Sequence, residues 1–398
     1  MKPKGLSLII VAHKFAWRID DVVDGLTHRY YGLYANLCKL NLRMNGCAFW
    51  YSVKDRLLLR FSEGCIRVFK HSVFGGILKA ILESISRRVF IIAVIDYPHS
   101  FLGIKYLLGY LASLLLLHLI RILNRGFIVV DNMDPPIEHA YELKGNVKLA
   151  ERMLWLLLNN IVFRFDLIIF PTQSYRLYHR QVYGLEERKS IVVPHGSFPE
   201  WIPYKKPPYT GALKILCSGD IIKWVDVNAL NDLVEELVAS GLDLELIVIS
   251  KNKGIWPRNW SRIKVLPPIT FKEFSDCLSR VHLLLLLIRP KSLHHMLTMR
   301  ASLADYLMSG RPIVYVKSLG NAEVIKRAGC GFAFQDLHEL KQILTQLCKE
   351  KSLIETLGYR ARVFAEFHMV YKKHANELFR EILLRISKKL LRYAAITC

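Results

Sequence analysis

Residues 281–290 read VHLLLLLIRP, 298–310 read TMRASLADYLMSG, 313–316 read IVYV and 319–334 read LGNAEVIKRAGCGFAF. The first is an uninterrupted apolar run of strand length. The second has helical spacing and ends on Gly310-Arg311-Pro312, a stop signal, and a second apolar strand follows it. Strand, helix, strand and helix in this order describe βαβ crossovers of a mostly parallel sheet with helices on both faces. Such crossovers bring helix N-termini to one sheet edge, where backbone N–H groups favour phosphate. Asp305 lies on the helix, beside Tyr306, and carries its only carboxylate.

The same alternation extends through the chain. In the first half, LSLIIVA is followed by a helix through GLYANLCKLNLR, and AFWYSV and RLLLRF are expected to form a hairpin around Lys54-Asp55. Then come ILKAILESISRR as helix, VFIIAVID as strand, an apolar helix, the strand GFIVVD, a long helix from about Ile137 to Asn160, the strand DLIIFP, a short helix and SIVVP. The proline-rich stretch HGSFPEWIPYKKPPYT lacks apolar periodicity and reads as a linker. A second α/β unit starts at LKILCS and continues through LELIVIS, IKVLP, VHLLLLLI, PIVYV and GFAF. The expected division is 1–195 for the first domain, 196–210 for the linker, 211–370 for the second domain and 371–398 for a basic amphipathic helix.

A chain of 398 residues is long enough for two such cores. Its 56 Lys and Arg against 34 Asp and Glu leave a formal charge of +22, which calls for an anionic partner: nucleic acid, an acidic membrane surface or a phosphorylated substrate. No zinc finger, RNP-like motif or basic helix with interleaved aromatics supports nucleic acid, which is therefore not the expected partner. The eight cysteines form no C-x-x-C pair and no zinc spacing, and read as small buried hydrophobes. LSLIIVA reaches the polar HKFAWRIDD too early for a signal peptide, so a cytoplasmic location is expected. The run LLGYLASLLLLHLI at 107–120, as a helix of about 21 Å, falls short of a bilayer's roughly 30 Å core. It reads first as a buried crossover helix; the cations Lys105, Arg121 and Arg125 at its ends keep open the alternative of a helix lying partly in the bilayer interface, in peripheral contact with the inner face of the cell membrane.

The motifs resemble those of GT-B glycosyltransferases, particularly the family-four-like group, in which an acidic residue before Tyr-Leu-x-x-Gly-Arg/Lys-Pro holds the ribose of a sugar nucleotide. That resemblance covers nearly the whole chain and is sharpest in the second half. It implies two Rossmann-like domains facing each other across a cleft, followed by a C-terminal helical segment. It also implies transfer of a sugar from a nucleotide-sugar donor to an acceptor, with no metal at the diphosphate and no cofactor; the basic charge, the apolar helix at 107–120 and the cationic C-terminal helix point to a lipid-linked or glycan acceptor near a membrane.

By the same resemblance Asp305 takes the ribose hydroxyls. SGDIIKWVD matches the family's glycine-and-cation phosphate loop through Gly219 and Lys223, although Asp220 stands in the arginine's place; Arg289 and Arg300 are the candidate replacements. Gly320 and Asn321 occupy a strand-to-helix turn able to face a phosphate or a sugar hydroxyl, Asn321 otherwise being an N-cap. The family's second acidic position, eight residues before Asp305, is Leu297, and the position taken by lysine in the mannosyltransferases of lipid-linked oligosaccharide assembly is Ser302. For acceptor activation Asp96 and His99, after the strand VFIIAVI, lead over His13, Asp131 and Asp134. The alternatives are a same-fold nucleotide-sugar epimerase, a non-enzymatic nucleic-acid binder and a scaffold.

Overall fold

A computed structural model describes residues 6–11, 28–43, 47–52, 57–61, 64–70, 78, 82, 90–96, 104–122, 126–134, 137–138, 146–207, 211–218, 227–250, 261–287, 293–317 and 319–397. The chain divides into two units, 1–194 with 371–398, and 195–370.

The first unit opens with β1 (Leu6–Val11), a π-turn at Tyr30–Tyr34 that runs into α1 (Ala35–Arg43), β2 (Cys47–Ser52), β3 (Leu57–Phe61), β4 (Gly64–Lys70) and β5 (Phe90–Asp96). It continues with α2 (Ile104–Ile122), β6 (Gly126–Asp131), α3 (Leu149–Val162), β7 (Leu167–Phe170), α4 (Gln173–Tyr183) and β8 (Ser190–Val192). The sheet order is β3-β4-β2-β1-β5-β6-β7-β8, and every pairing is parallel except β3 with β4. Buried residues run without alternation through Ile91–Ile95, Phe127–Val130 and Leu167–Phe170, as they must in a parallel sheet covered on both faces.

The second unit contains β9 (Leu213–Ser218), α5 (Val227–Ala239), β10 (Leu244–Ile249), β11 (Ile263–Leu266), α6 (Phe271–Arg280), β12 (Leu283–Leu286) and α7 (Leu293–Leu297). Then come α8 (Ala301–Met308), β13 (Ile313–Val316), α9 (Leu319–Ala328), β14 (Gly331–Phe334), α10 (Leu337–Lys349) and α11 (Lys351–His368). Its six strands are all parallel in the order β11-β10-β9-β12-β13-β14. The chain then returns to the first unit as α12 (Tyr371–Thr397).

Three expectations are corrected. The hairpin is not β2–β3: β3 pairs antiparallel with β4, its register closing at Phe61↔Gly64, and β2 pairs parallel with β4. The tight connection therefore follows Phe61, which puts β2 inside the sheet and the hairpin at its edge. The long helix from Ile137 is interrupted. Residues 146–148 are not helical, and α3 starts at Leu149 after an extended Lys148 at ψ 144°, where Gly145-Asn146 supplies a breaker. Asn321 is not an N-cap, because α9 already begins at Leu319.

Residues 196–207, expected within the linker, are stapled to the second unit. Arg311, wholly buried, donates from Nη1 to Lys205 O at 2.7 Å and from Nε to Val281 O at 2.6 Å. Arg362 donates to Ile202 O at 2.6 Å, Ser275 Oγ to Trp201 O at 2.7 Å and Ser197 N to Met369 O at 2.6 Å. The Arg of Gly-Arg-Pro thus satisfies buried carbonyls from three segments, and Gly310 before it ends α8 at φ +69° with its Cα against the Tyr204 ring.

Candidate functional site

In the second sheet the strand order reverses between β9 and β12, and ligands of open α/β sheets bind beyond the carboxyl ends at such a reversal. β9 ends at Ser218. Its N–H donates to Tyr306 Oη at 3.0 Å, and the two hydroxyls lie 2.7 Å apart. Just beyond β12, Leu287 O accepts from Arg300 Nη1 at 2.8 Å. Arg300 sits at the N-cap of α8 in an extended conformation, so the helix start aims its guanidinium back across the strand ends. Beneath it Cys217 is buried, and burial pushes its thiol up to about 12, which removes it as a nucleophile near neutral pH.

Asp305 lies one turn into α8 and is 3% exposed. Its Oδ1 accepts from Ser197 Oγ at 2.6 Å. Ser197 is itself held by its N–H to Met369 O and by a bridge to Val370. The carboxylate therefore has one oxygen oriented by a short, buried hydrogen bond to an anion, the stronger class of such bonds.

Asn321 Oδ1 accepts from Arg300 N at 3.1 Å, which joins the first turn of α9 to the start of α8. Gly320 makes that junction sterically possible: a Cβ there would lie 2.4 Å from Thr298 O and 2.6 Å from Leu297 O. Leu297, at the place of the family's other acid, is buried at 4% exposure. The structure thus brings Arg300, Gly320 and Asn321 together, and hangs Asp305 from the same helix as Arg300. Gly219, Lys223, Arg289 and His99 lie outside the described residues, as does His13. Sequence reasoning passed over Ser197, and it named Tyr306 only as a motif residue without its contact to Ser218. Ser197 directly follows Pro194-His195-Gly196 at the head of the proline-rich stretch, and nothing beside it in the sequence points to Asp305, 108 positions away.

In the first unit the order reverses between β1 and β5, so Asp96, the last residue of β5, ends at that point. Its register partner on β6 is Asp131. Asp131 is fully buried: its Oδ2 accepts from Arg29 Nε at 2.6 Å and from Tyr34 Oη at 2.8 Å, and its Oδ1 accepts from Arg29 Nη2 at 2.8 Å. Arg29 also donates to Val193 O and Pro194 O, both at 3.2 Å. Asp131, an expected candidate for acceptor activation, is instead the anchor of a buried ion pair, and both its oxygens are taken.

No family model matches the chain, and no curated protein matches it. Solved structures match along nearly its whole length. Sucrose-phosphate synthase from Thermosynechococcus elongatus superposes with a TM-score of 0.67 at 11% identity, over 96% of this chain and 100% of that one. HepE of Anabaena, solved in complex with UDP, gives 0.62 at 12% identity over 95% and 99%. WaaG, a glycosyltransferase involved in lipopolysaccharide biosynthesis, gives 0.58 at 11% identity over 93% and 98%. The fold is that of the GT-B glycosyltransferases.

Proposed function

We propose that the protein is a glycosyltransferase that moves a sugar from a nucleotide-sugar donor held by the second unit to a lipid-linked or membrane-proximal acceptor. The observation that carries this reading is the strand reversal at β9 and β12, ringed by Arg300, Asp305 and the start of α9. In this reading the Asp305 carboxylate accepts from the ribose hydroxyls. Arg300 has one of its five N–H donors fixed on Leu287 O and turns others toward the diphosphate, joined by Lys223, Arg289 and the backbone at Gly219. Gly320 and Asn321, in the first turn of α9, face a phosphate or a sugar hydroxyl. These fixed cations and N–H groups stabilise charge as it develops on the departing nucleotide.

Asp96 ends β5 of the first unit, and His99 comes three positions later in the sequence. One of them deprotonates or orients the acceptor hydroxyl as the sugar–phosphate bond breaks. HepE has been solved with UDP-glucose, so uridine donors are the first to try. The test measures nucleotide released from UDP-, GDP- and ADP-sugars, with and without a membrane lipid extract. Acceptor-dependent release that falls in Asp96→Asn or His99→Ala supports the reading. Nucleotide release from donor alone, with an isomerised sugar as product, would indicate an epimerase.

A further inference from the structure

At the amino edge of the first sheet, away from the strand ends that carry Asp96, an open recess of about 570 Å³ is formed where α2 ends, β6 begins and α12 crosses. Its walls hold six cations, Arg121, Arg188, Lys189, Arg385, Lys388 and Lys389, and two acids, Asp166 and Glu381; a third acid, Glu186, pairs with Arg188 and Lys189 at 2.7 Å each. Both wall acids are already engaged. Asp166 accepts from Ile128 N at 2.9 Å, Lys389 Nζ at 3.1 Å and Arg121 Nε at 3.3 Å, and Glu381 accepts from Arg385 Nε at 2.6 Å. Lys388 is exposed and pairs with no acid among the described residues.

The surface beside the recess is apolar. On α2, Leu115, Leu119 and Ile122 follow helical spacing and are 53%, 52% and 60% exposed, while Leu114 and Leu117 on the opposite face are fully buried. The apolar run therefore has one face in the core and one in solvent. That helix contains no acidic residue. On α3, which packs against α2, Leu149, Met153 and Leu157 repeat the pattern at 50% exposure or more. On α12, Leu384 lines the recess, and Lys388 and Leu391 continue its face at one and two turns. Large apolar side chains thus stand half-exposed or more in rows on three helices of one unit, the kind of side chain that lines protein or membrane contacts.

We propose that this face docks on a bilayer of anionic phospholipid, with headgroup phosphates in the recess and the leucine rows of α2 and α12 at the acyl boundary. Net charge and apolar content together select this partner. A nucleic acid would meet the excess positive charge but have no use for the leucines, and a neutral apolar partner would leave Lys388 and the net positive charge of the recess unmatched. No helix among the described residues is long and apolar enough to cross a membrane, so the contact is peripheral. The inference gives a place to the membrane-proximal part of the proposed function and rests on that part, but it requires no donor.

The test is co-sedimentation of the full chain, without donor, with vesicles of phosphatidylcholine alone and of phosphatidylcholine mixed with phosphatidylglycerol. The expected result is binding to the anionic vesicles only, falling with added salt. Lys388→Glu, a reversal of charge, should weaken it by roughly tenfold or more. Leu119→Ser combined with Leu384→Ser should weaken it at unchanged salt dependence. All of these side chains are exposed, and an unchanged unfolding midpoint serves as the folding control. Equal binding to both vesicle types, unchanged binding in both variants, or no vesicle binding at all would overturn the proposal. So would retention of glycerol phosphate or of a DNA duplex by a protein that ignores vesicles. Donor-induced stabilisation, measured separately, shows whether the transferase reading stands or falls on its own.

Discussion

Ser197 Oγ donates a 2.6 Å hydrogen bond to Asp305 Oδ1 across 108 positions of sequence. The same serine's backbone N–H is fixed to Met369 O and it bridges Val370, so the carboxylate proposed to read the donor's ribose is oriented where the two ends of the second unit meet. Losing a hydrogen bond to a charged group costs about 1.5–3 kcal/mol. Ser197→Ala should therefore weaken donor binding by at least about tenfold, and Ser197→Thr, which keeps the hydroxyl, should recover most of it. Titration calorimetry with the preferred donor reads both.

Gly320→Ala should damage the donor site without touching a charge. The added methyl would press on two backbone carbonyls that cannot swing aside, a misfit of the kind that costs about 1–3 kcal/mol. The melting temperature and donor affinity should fall together. Asn321→Ala removes the acceptor for Arg300 N and should cost about 1 kcal/mol, with a smaller loss of donor affinity. Equal affinity in both variants and wild type would separate α9 from the donor.

Asp131→Ala should destabilise the first unit by about 3–5 kcal/mol, because it strands the fully buried Arg29 guanidinium. Replacing both partners together, Arg29→Met with Asp131→Leu, should restore much of that loss. Denaturant unfolding checks both. A well-folded Asp131→Ala protein that had lost turnover alone would return Asp131 to the acceptor side.

How much of this could be read in the sequence depended on range. From Val281 to Phe334 the order of β12, α8, β13, α9 and β14 was legible, because strands buried on both faces read as unbroken apolar runs and Gly310-Arg311-Pro312 punctuates them. What depended on distant partners was not legible. Nothing near Asp131 in the chain announces Arg29, 102 positions away, so its position after a strand suggested chemistry where the fold uses it as an anchor. Proline content marked 196–210 as a linker, yet 196–207 is held by distant groups, among them Arg311, Arg362 and Ser275. The β3–β4 hairpin was missed because RLLLRF has no turn signal strong enough to choose between a neighbour before it and one after it.

His179 sets a pH dependence on the first unit. It is fully buried among Phe163, Phe170, Tyr175 and Tyr183, and burial lowers its pKa to about 3. Its folded value lies below the roughly 6.5 of an unfolded chain, so the unfolded state binds the extra proton in that interval. Stability is fully present above about pH 6.5 and declines as pH falls toward 3, by up to about 1.4 kcal/mol per pH unit from this group. His179→Phe should flatten that slope between pH 6.5 and 4 in urea unfolding, and an unchanged slope would contradict the assignment.

The most direct test of the donor site is thermal stabilisation by UDP, GDP, ADP and their common sugar conjugates, run on the wild type and on Asp305→Ala. Stabilisation by one nucleotide series, lost in Asp305→Ala and reduced in Lys223→Ala and Arg300→Ala, is the result expected. Stabilisation by none of them, or an equal shift in wild type and Asp305→Ala, would contradict the account.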